Sequence, residues 1–195
     1  VSKSTSLAAS GVMLANGIPN HKSLYLTPLY EQIRRFSTNY VRPFIDQSPL
    51  RSRWIGTNTE NSVLQRSFKN HALMIFSFAL LDASRIRGVA ADAVNIDEIQ
   101  DFDIDHLPIV QETMSASDWS TVHFAGTPKS NDNLIEKLWQ QSSMAEWIIP
   151  CYSCGFWNIP ALEHHIDGMI GPVHEGICPQ YPGTVCYRCR KSINP

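Results

Sequence analysis

The chain has 195 residues, of which 16 are basic and 18 acidic, so its formal net charge is −2. Hydrophobic residues make up 43% and charged residues 17%, which provides a core and excludes a disordered chain. The near-neutral balance excludes a strongly basic nucleic-acid coat, so any contact with DNA must come from a local patch. No apolar run reaches the roughly 18 residues that span a bilayer, and no secretory signal is recognisable.

Both ends of the sequence look like cuts. The chain begins at Val1 without a methionine and ends at Pro195, shortly after a cysteine pair. We therefore expect a piece of a longer protein, with trimming of a complete small protein as the alternative.

The predicted elements alternate between helices and short apolar strands. Helices are predicted over residues 4–16, 29–40, 104–114 and 133–141, strands over 23–27, 93–96, 121–125 and 147–149, a hairpin over 62–69 and 71–78, and a loop over 43–60. This alternation predicts an α/β fold, with a mostly parallel sheet and helices on both of its faces. Cysteine, histidine, glycine and proline accumulate beyond Pro150, so two modules are predicted, 1–150 and 151–195.

Two carboxylates, Asp97 and Glu98, follow the apolar strand predicted over 93–96. The carboxyl end of a strand is where open α/β sheets bind ligands. Because side chains alternate along a strand, the two carboxylates would do different jobs. One can hold Mg²⁺ and the other can polarise an attacking water, as in the Walker B motif of an ATPase. The alternative is a strand that runs into a solvated acidic loop over 101–105.

Lys3 and Ser4 open the first predicted helix, like the last two positions of the phosphate loop G-x-x-x-x-G-K-[ST]. At a helix N-terminus the lysine would contact the β- and γ-phosphates, and the serine hydroxyl would hold Mg²⁺. Ser2 stands where the standard pattern has glycine, and the earlier part of the pattern is not in this sequence. The alternative is a solvated helix end.

Four of the five cysteines form two C-x-x-C pairs, namely Cys151 with Cys154 and Cys186 with Cys189. Each pair puts two thiolates on one tight turn, and together they form the tetrahedral sulfur set that Zn²⁺ prefers. The stretch between the pairs is longer than the roughly 15–20 residues of common ribbons, which indicates an insertion. Disulfides and a redox C-x-x-C are the alternatives, and the absence of a secretory signal argues against disulfides. Cys178 is the spare cysteine.

Three segments of the chain carry a family resemblance. They read V-S-K-S-T-S-L-A at the start, R-I-R-G-V-A-A-D-A-V-N-I-D-E in the middle and F-A-G-T-P after the next strand. Together they resemble the ATPase domain of the large terminase subunit of tailed bacteriophages, the motor that packs the genome into a preformed capsid. The tail, E-W-I-I-P-C-Y-S-C-G-F-W-N-I-P followed by C-Y-R-C, is similar to a cysteine-bearing insert seen in some members. The resemblance covers nearly the whole chain.

The resemblance implies a P-loop NTPase fold, here truncated at its first strand, and a set of nucleotide-site residues. It makes Lys3 and Ser4 the remains of the phosphate loop, with Thr5 a neighbour that could share the hydroxyl role. Asp97 becomes the Mg²⁺ ligand, and Glu98 becomes the base that orients and activates water. The implied cofactors are ATP, Mg²⁺ and a structural Zn²⁺.

The resemblance also assigns roles away from the nucleotide site. Arg87 matches an arginine implicated as a finger that reaches the ATP of a neighbouring subunit. Gly126, Thr127 and Pro128 match a motif that couples hydrolysis to movement. The implied partners are double-stranded DNA, the small terminase subunit, the portal protein and further copies of the chain in a ring, with no membrane. The implied location is the host cytoplasm, transiently at the procapsid portal.

Two other functions stay open. D-E-I-Q, over residues 97–100, and A-G-T also resemble motifs of a superfamily 2 helicase, which would continue into a second RecA-like domain. The chain could instead be a zinc-ribbon binding module on an inactive NTPase scaffold. A terminase would continue into a nuclease, which this sequence does not contain. Because most of the phosphate loop is not in the sequence, we expect this stretch by itself to bind ATP poorly.

Overall fold

The computed structural model describes residues 3–49, 61–78, 86–127, 129, 134–161, 164–170 and 184–193. The chain divides into two compact units, Val1–Trp139 and Gln140–Pro195. The module boundary predicted after Pro150 stays a prediction. Among the helices in the described ranges, none has the length and apolar character needed to cross a membrane.

The first unit is built on a six-stranded sheet. Its strands in chain order are β1 (Lys22–Thr27), β2 (Asn61–Ser62), β3 (Gln65–Ser67), β4 (Leu73–Phe78), β5 (Ala93–Ile96) and β6 (Thr121–Phe124). They lie side by side in the order β2-β3-β4-β1-β5-β6. The neighbours β4, β1, β5 and β6 are parallel, and β2 and β3 add an antiparallel edge. The predicted mostly parallel sheet is therefore confirmed.

Helices cover both faces of this sheet, as predicted. They are α1 (Lys3–Gly17), α2 (Tyr30–Arg35), α3 (Arg42–Gln47), α4 (Leu107–Glu112) and α5 (Leu134–Gln140), together with short 3-10 turns at Ile99–Asp101 and Ile104–His106. Strand β1 is buried on both sides, and its side chains alternate between two cores. Leu24 and Leu26 join the core that includes Val110 and Leu134, whereas Tyr25 joins the core that includes α1 and α2.

The predicted hairpin is present, but its first arm is broken in two. β3 pairs with β4 around a turn that contains Lys69 and Asn70. Upstream of β3, the Ser62 hydroxyl accepts a hydrogen bond from the Leu64 amide at 3.2 Å, which turns the chain and separates β2 from β3. Side chain-to-backbone bonds of this kind compete with a continuous strand.

The loop predicted over 43–60 is wrong at its start. A π-helical turn, Phe36–Val41, links α2 to α3, which contains Pro43 near its beginning. Proline has no amide hydrogen, and its ring crowds the carbonyl four residues earlier. The wider π turn immediately before Pro43 accommodates that ring, so the chain stays helical to Gln47. Residues 50–60 of the predicted loop lie outside the described residues.

The second unit contains two short hairpins, each holding one C-x-x-C pair. β7 (Ile149–Pro150) pairs with β8 (Trp157–Asn158), and β9 (Thr184–Val185) pairs with β10 (Ser192–Ile193). A 3-10 turn covers Ile166–Gly168. The strand predicted over 147–149 is therefore wrong in its bounds, since the observed strand is Ile149–Pro150. Trp147 lies outside it and is 87% exposed.

His21 is an unusual buried group directly before β1. Its side chain is 1% exposed and stacks on Trp119 at 5.3 Å between ring centroids. Within the described part of the chain, neither ring nitrogen has a hydrogen-bond partner, and the nearest carboxylate oxygen, on Asp92, is 3.8 Å away. Burial lowers the pKa of His21, and Asp92 only partly opposes this.

We expect the first unit to lose stability in mild acid because of His21. Protonation of His21 is disfavoured in the folded state but not in the unfolded state. The contribution of neutral His21 to the free energy of unfolding is therefore complete above about pH 6.5, and it decreases as the pH drops towards the lowered pKa of the folded state. The urea midpoint should decrease between about pH 7.5 and about pH 5.5, and less so in His21→Phe. His71→Asn, which changes an exposed histidine, should retain the full decrease. An undiminished decrease in His21→Phe would contradict this account.

Candidate functional site

Asp97, the predicted Mg²⁺ ligand, and Glu98, the predicted base, lie where β5 ends. Asp97 is buried, and its amide donates to the Leu26 carbonyl at 2.8 Å, which keeps it attached to β1. Glu98 is half-buried and has left-handed backbone angles, φ 55° and ψ 43°, which few residues other than glycine adopt. The Ile99 amide then donates to the Ala125 carbonyl at 3.0 Å. The tight turn at Glu98 is therefore held by both neighbouring strands.

The start of α1 meets these carboxylates. The Lys3 ammonium lies 2.9 Å from Glu98 Oε1 and 3.5 Å from Asp97 Oδ1. The Ser4 hydroxyl donates to Asp97 Oδ2 at 3.4 Å. Thr5 is half-buried one residue further along α1. The structure thus brings Lys3 and Ser4 together with Asp97 and Glu98, although they are far apart in sequence.

Tyr25 completes the surroundings of Asp97. Its hydroxyl donates to Asp97 Oδ2 at 2.8 Å in a buried position. In the sheet register Tyr25 is paired with Asn95, so by strand alternation it is on the same face as Asp97. Burial, and next the negative charge of Asp97, raise the pKa of Tyr25, so the phenol stays a donor. Sequence reasoning missed this residue, although a tyrosine inside an apolar strand signals a need for a polar partner.

Gln100 entered the sequence analysis only as the last residue of D-E-I-Q, with no role in the site. Its amide nitrogen donates to Glu98 Oε2 at 2.6 Å, and its amide oxygen accepts from the Thr127 amide at 3.0 Å. Partial burial raises the pKa of Glu98, but the hydrogen bonds from Gln100 and Lys3 outweigh it and leave that pKa below its usual value. Glu98 is therefore ionised near neutral pH.

The predicted coupling motif lies against this group. A Cβ on Gly126 would collide with the Gln100 amide oxygen and would lie 2.9 Å from Ile99 Cγ2 and 3.1 Å from Ile135 Cδ1. A larger residue at this position would therefore displace the Gln100 side chain. Thr127 is exposed and is linked to Gln100 through its amide. Pro128 lies outside the described residues.

Arg87 is not brought together with the carboxylates. It is exposed, and it borders a surface cavity of about 320 Å³ together with Ile109 and Glu112. Among the described residues it has no ion pair. Its assignment as an arginine finger stays a prediction.

A cavity of about 180 Å³ adjoins the carboxylates. Hydroxyl, carboxylate, amide, guanidinium and aromatic groups surround it, from Ser4, Tyr25, Thr27, Gln32, Arg35, Phe36, Tyr40, Asp97 and Glu98. Carboxylate and hydroxyl oxygens are ligands that suit Mg²⁺, and cationic side chains suit phosphate. The residues present therefore fit a magnesium–phosphate group.

The four cysteines of the two C-x-x-C pairs converge. The sulfur atoms of Cys151, Cys154, Cys186 and Cys189 all lie within 4.8 Å of one another. Cys151 and Cys189 are 3.6 Å apart at sulfur, and Cys154 and Cys186 are 3.7 Å apart. A disulfide would need about 2.05 Å, whereas zinc–sulfur bonds of about 2.3 Å in a tetrahedron place sulfurs about 3.8 Å apart. The geometry fits zinc.

The two cysteine turns repeat one hydrogen-bond pattern. The Gly155 amide donates to the Cys151 carbonyl at 2.8 Å, and the Arg190 amide donates to the Cys186 carbonyl at 2.9 Å. Gly155 and Arg190 both have positive φ, 71° and 61°. Burial raises the pKa of Cys186, but backbone amides of the turn and the neighbouring thiols outweigh it and lower that pKa to about 6. The second turn thus favours a thiolate, the form that binds metal.

The histidines near the cysteines have other contacts, and Cys178 and His174 lie outside the described residues. His165 Nδ1 accepts from the Ile159 amide at 2.9 Å, and its ring stacks on Tyr187 at 4.6 Å. His164 lies 3.6 Å from a carboxylate oxygen of Glu146. These contacts agree with a ligand set of four cysteines.

Comparison with known proteins decides the family. The model of the phage terminase large subunit gpA, ATPase domain, matches residues 5–195. The chain belongs to this family. It is therefore related to the ATPases of phage DNA packaging, as the sequence motifs predicted. Among curated proteins, none matches the chain.

The solved structures of two large terminases share the fold of this chain. The HK97 bacteriophage large terminase is 12% identical, with a TM-score of 0.55 over 72% of this chain and 31% of that chain. A large terminase from a thermophilic bacteriophage is 15% identical, with a TM-score of 0.54 over 71% and 34%. The Thermus phage P74-26 large terminase ATPase domain is 16% identical, with a TM-score of 0.48 over 66% and 56%. The chain thus spans about a third of the first two and just over half of the third.

We expect the Tyr25 hydroxyl to stabilise the fold through Asp97. Tyr25→Phe leaves a buried carboxylate with one donor fewer, which should lower the free energy of unfolding by about 1–3 kcal/mol in urea titrations. Tyr30→Phe removes a hydroxyl from a side chain that is 42% exposed, and should change it by less than about 0.5 kcal/mol. Equal effects of the two substitutions would show that the bond to Asp97 contributes nothing.

Proposed function

We propose that this chain is the ATPase part of a viral DNA-packaging motor, which hydrolyses ATP and translocates double-stranded DNA into a procapsid. Family membership supports the ATPase assignment. The observation that carries it to individual residues is the meeting of Lys3, Ser4, Asp97 and Glu98 at the carboxyl edge of a parallel sheet. That edge is the ligand-binding position of open α/β folds.

The residues divide the work of phosphoryl transfer. ATP would supply the scissile β–γ bond, and a bound Mg²⁺ would neutralise negative charge on the phosphate oxygens. Lys3 provides an ammonium group for the phosphates, while the Ser4 hydroxyl and the Asp97 carboxylate provide oxygen ligands for the metal. Tyr25 fixes the orientation of Asp97. Thr5 is proposed only as a neighbouring hydroxyl on the same helix.

Glu98 is the proposed base. Its low pKa keeps it ionised, and Lys3 and Gln100 each hold one of its carboxylate oxygens. A fixed, ionised carboxylate can orient a water molecule and accept its proton. The three-dimensional arrangement around Glu98 supports this role more strongly than the sequence motif alone.

Arg87 and the G-T-P segment are proposed to act between parts of the motor. The exposed Arg87 is available to a neighbouring copy, as a finger in a homo-oligomeric ring requires. Gly126, Thr127 and Pro128 are the proposed coupling segment. The small terminase subunit and the portal protein are the further proposed partners, in the host cytoplasm and transiently at the procapsid portal.

The cysteine cluster is proposed to hold one structural Zn²⁺. Four protein thiolates satisfy a tetrahedral ion and leave no open position for a substrate, so the metal would stabilise the second unit. Cys151 and Cys186 are buried in the small core of that unit, next to Met169 and Ile193. The metal would join two hairpins that each contain only short strands.

The competing functions are less well supported. The terminase family match favours a packaging ATPase over a superfamily 2 helicase. The grouping of Lys3 with Asp97 and Glu98 favours a nucleotide site over an inactive scaffold, because a cation and two carboxylates share one edge of the sheet.

Replacing Glu98 with glutamine should abolish ATP turnover. The amide has nearly the same shape but cannot accept a proton, so kcat should fall by about 10²–10⁴-fold in the full gene product. Steady-state phosphate release measures the loss. Asp105→Asn, which neutralises an exposed carboxylate in the adjacent acidic loop, is the matched control and should retain the original kcat. Unchanged turnover in Glu98→Gln would refute the assignment of the base and of the ATPase site.

Purified protein should contain about one zinc ion per chain by elemental analysis. Cys154→Ser removes one ligand from an exposed position, so zinc should be lost and the thermal stability of the second unit should fall. Cys178→Ser changes the spare cysteine and should retain zinc. A folded, metal-free protein, or equal zinc content in both variants, would rule out the proposed site.

A further inference from the structure

We propose that Gln100 is a positioning residue that fixes Glu98 and links it to the segment formed by Gly126 and Thr127. The inference rests on the proposed function, because it treats Glu98 as the base. It assigns to one amide side chain the connection between the catalytic carboxylate and the proposed coupling segment.

The connection consists of two hydrogen bonds from opposite ends of one amide. The nitrogen of Gln100 donates to Glu98 Oε2 at 2.6 Å, and its oxygen accepts from the Thr127 amide at 3.0 Å. The reversed amide would put a donor against a backbone donor and an acceptor against a carboxylate, so the surroundings fix its orientation. Few side chains could replace it, because the position needs a donor and an acceptor at this length.

The backbone around Gln100 brings the two ends together. The left-handed turn at Glu98 leads into the 3-10 turn Ile99–Asp101, closed by the Asp101 amide donating to the Glu98 carbonyl at 2.9 Å. This turn places the Gln100 side chain next to that of Glu98, which lies two residues earlier in the chain. On the other side, Gly126 lacks a Cβ, and an added one would collide with the Gln100 oxygen. The contact between Gln100 and the segment is therefore steric as well as polar.

A second bond fastens the same two pieces of chain. The Lys129 ammonium lies 2.6 Å from Oδ1 of Asp101, the residue directly after Gln100. The stretch that follows β6 is thus attached to the turn that follows β5 through both Thr127 and Lys129. A displacement of that stretch has to move Gln100, and Gln100 holds one oxygen of Glu98. The same connection transmits a change at Glu98 in the opposite direction.

Three substitutions separate the two bonds. Gln100→Met removes both at similar length. Gln100→Glu keeps an acceptor for the Thr127 amide but places a like charge against Glu98. Gln100→Lys keeps a donor for Glu98 and loses the acceptor. Gln111→Met makes the first change at an exposed position on α4 and serves as the control.

The measurements are kcat and KM for ATP in the full gene product, with and without double-stranded DNA. Gln100→Met and Gln100→Glu should lower kcat by about tenfold or more with KM within about threefold, because a misplaced base affects the transition state rather than binding. In Gln100→Lys, which loses the acceptor for the Thr127 amide, the ratio of kcat with double-stranded DNA to kcat without it should fall towards one. Hydrogen exchange at the Thr127 amide should be faster in the Met and Lys variants than in the Glu variant.

The outcomes distinguish this inference from the function on which it rests. If Glu98→Gln abolishes turnover while all three Gln100 variants match Gln111→Met, the link is overturned and the ATPase proposal stands. If Glu98→Gln has no effect, both fall. A rise in the KM for ATP in all three Gln100 variants, with kcat unchanged, would assign Gln100 to nucleotide binding and would also overturn the link. Equal exchange at the Thr127 amide in the unchanged protein and in all three Gln100 variants would show that Gln100 does not hold this amide in solution.

Discussion

The buried carboxylate of Asp97 is the constraint on which the first unit depends. A carboxylate can be buried only if charged or hydrogen-bonding partners replace the water it loses. Here those partners come from three parts of the chain, the start of α1 through Lys3 and Ser4, the middle of β1 through Tyr25, and the next backbone amide, that of Glu98. Satisfying one charge therefore fixes how α1, β1 and β5 are arranged.

The second unit is held together by different interactions from those of the first. Its strands are two residues long, and its core consists of Cys151, Met169, Cys186 and Ile193 with a few partly buried neighbours. A core of this size supplies little hydrophobic stabilisation, and small domains commonly add a metal or disulfides for that reason. The converging thiols are the part of this unit best suited to provide it.

The sequence is a good guide where function depends on strand ends and a poor one where it depends on register. The parallel sheet and the grouping of Lys3, Ser4, Asp97 and Glu98 follow from apolar runs and the residues at their ends. The role of Tyr25 does not, because it requires knowing that β1 lies beside β5, with Tyr25 opposite Asn95. Neighbours in a sheet are set by packing of the whole chain, which no local pattern contains.

Gln100 and Pro43 show two other limits. D-E-I-Q is recognisable as a motif, but the contact of its glutamine with the segment after β6 depends on the left-handed turn at Glu98, which a glutamate does not predict. Pro43 predicts the start of a loop, because proline breaks most helices. The π-helical turn before it is a response of the backbone to that proline, and side-chain periodicity gives no indication of it.

Arg190 binds part of the insertion between the two cysteine pairs. It stands in a left-handed turn where its counterpart is Gly155, a conformation that costs a non-glycine residue of order 1 kcal/mol. In return its guanidinium donates to the Gly168 carbonyl at 2.6 Å and lies 5.4 Å from the ring centroid of Tyr187. The arginine thus connects the second cysteine turn to Gly168 in the insertion. A glycine in its place would relax the turn and remove the bond to Gly168, so loosening around Gly168, rather than of the cysteine cluster, would be the first sign of its loss.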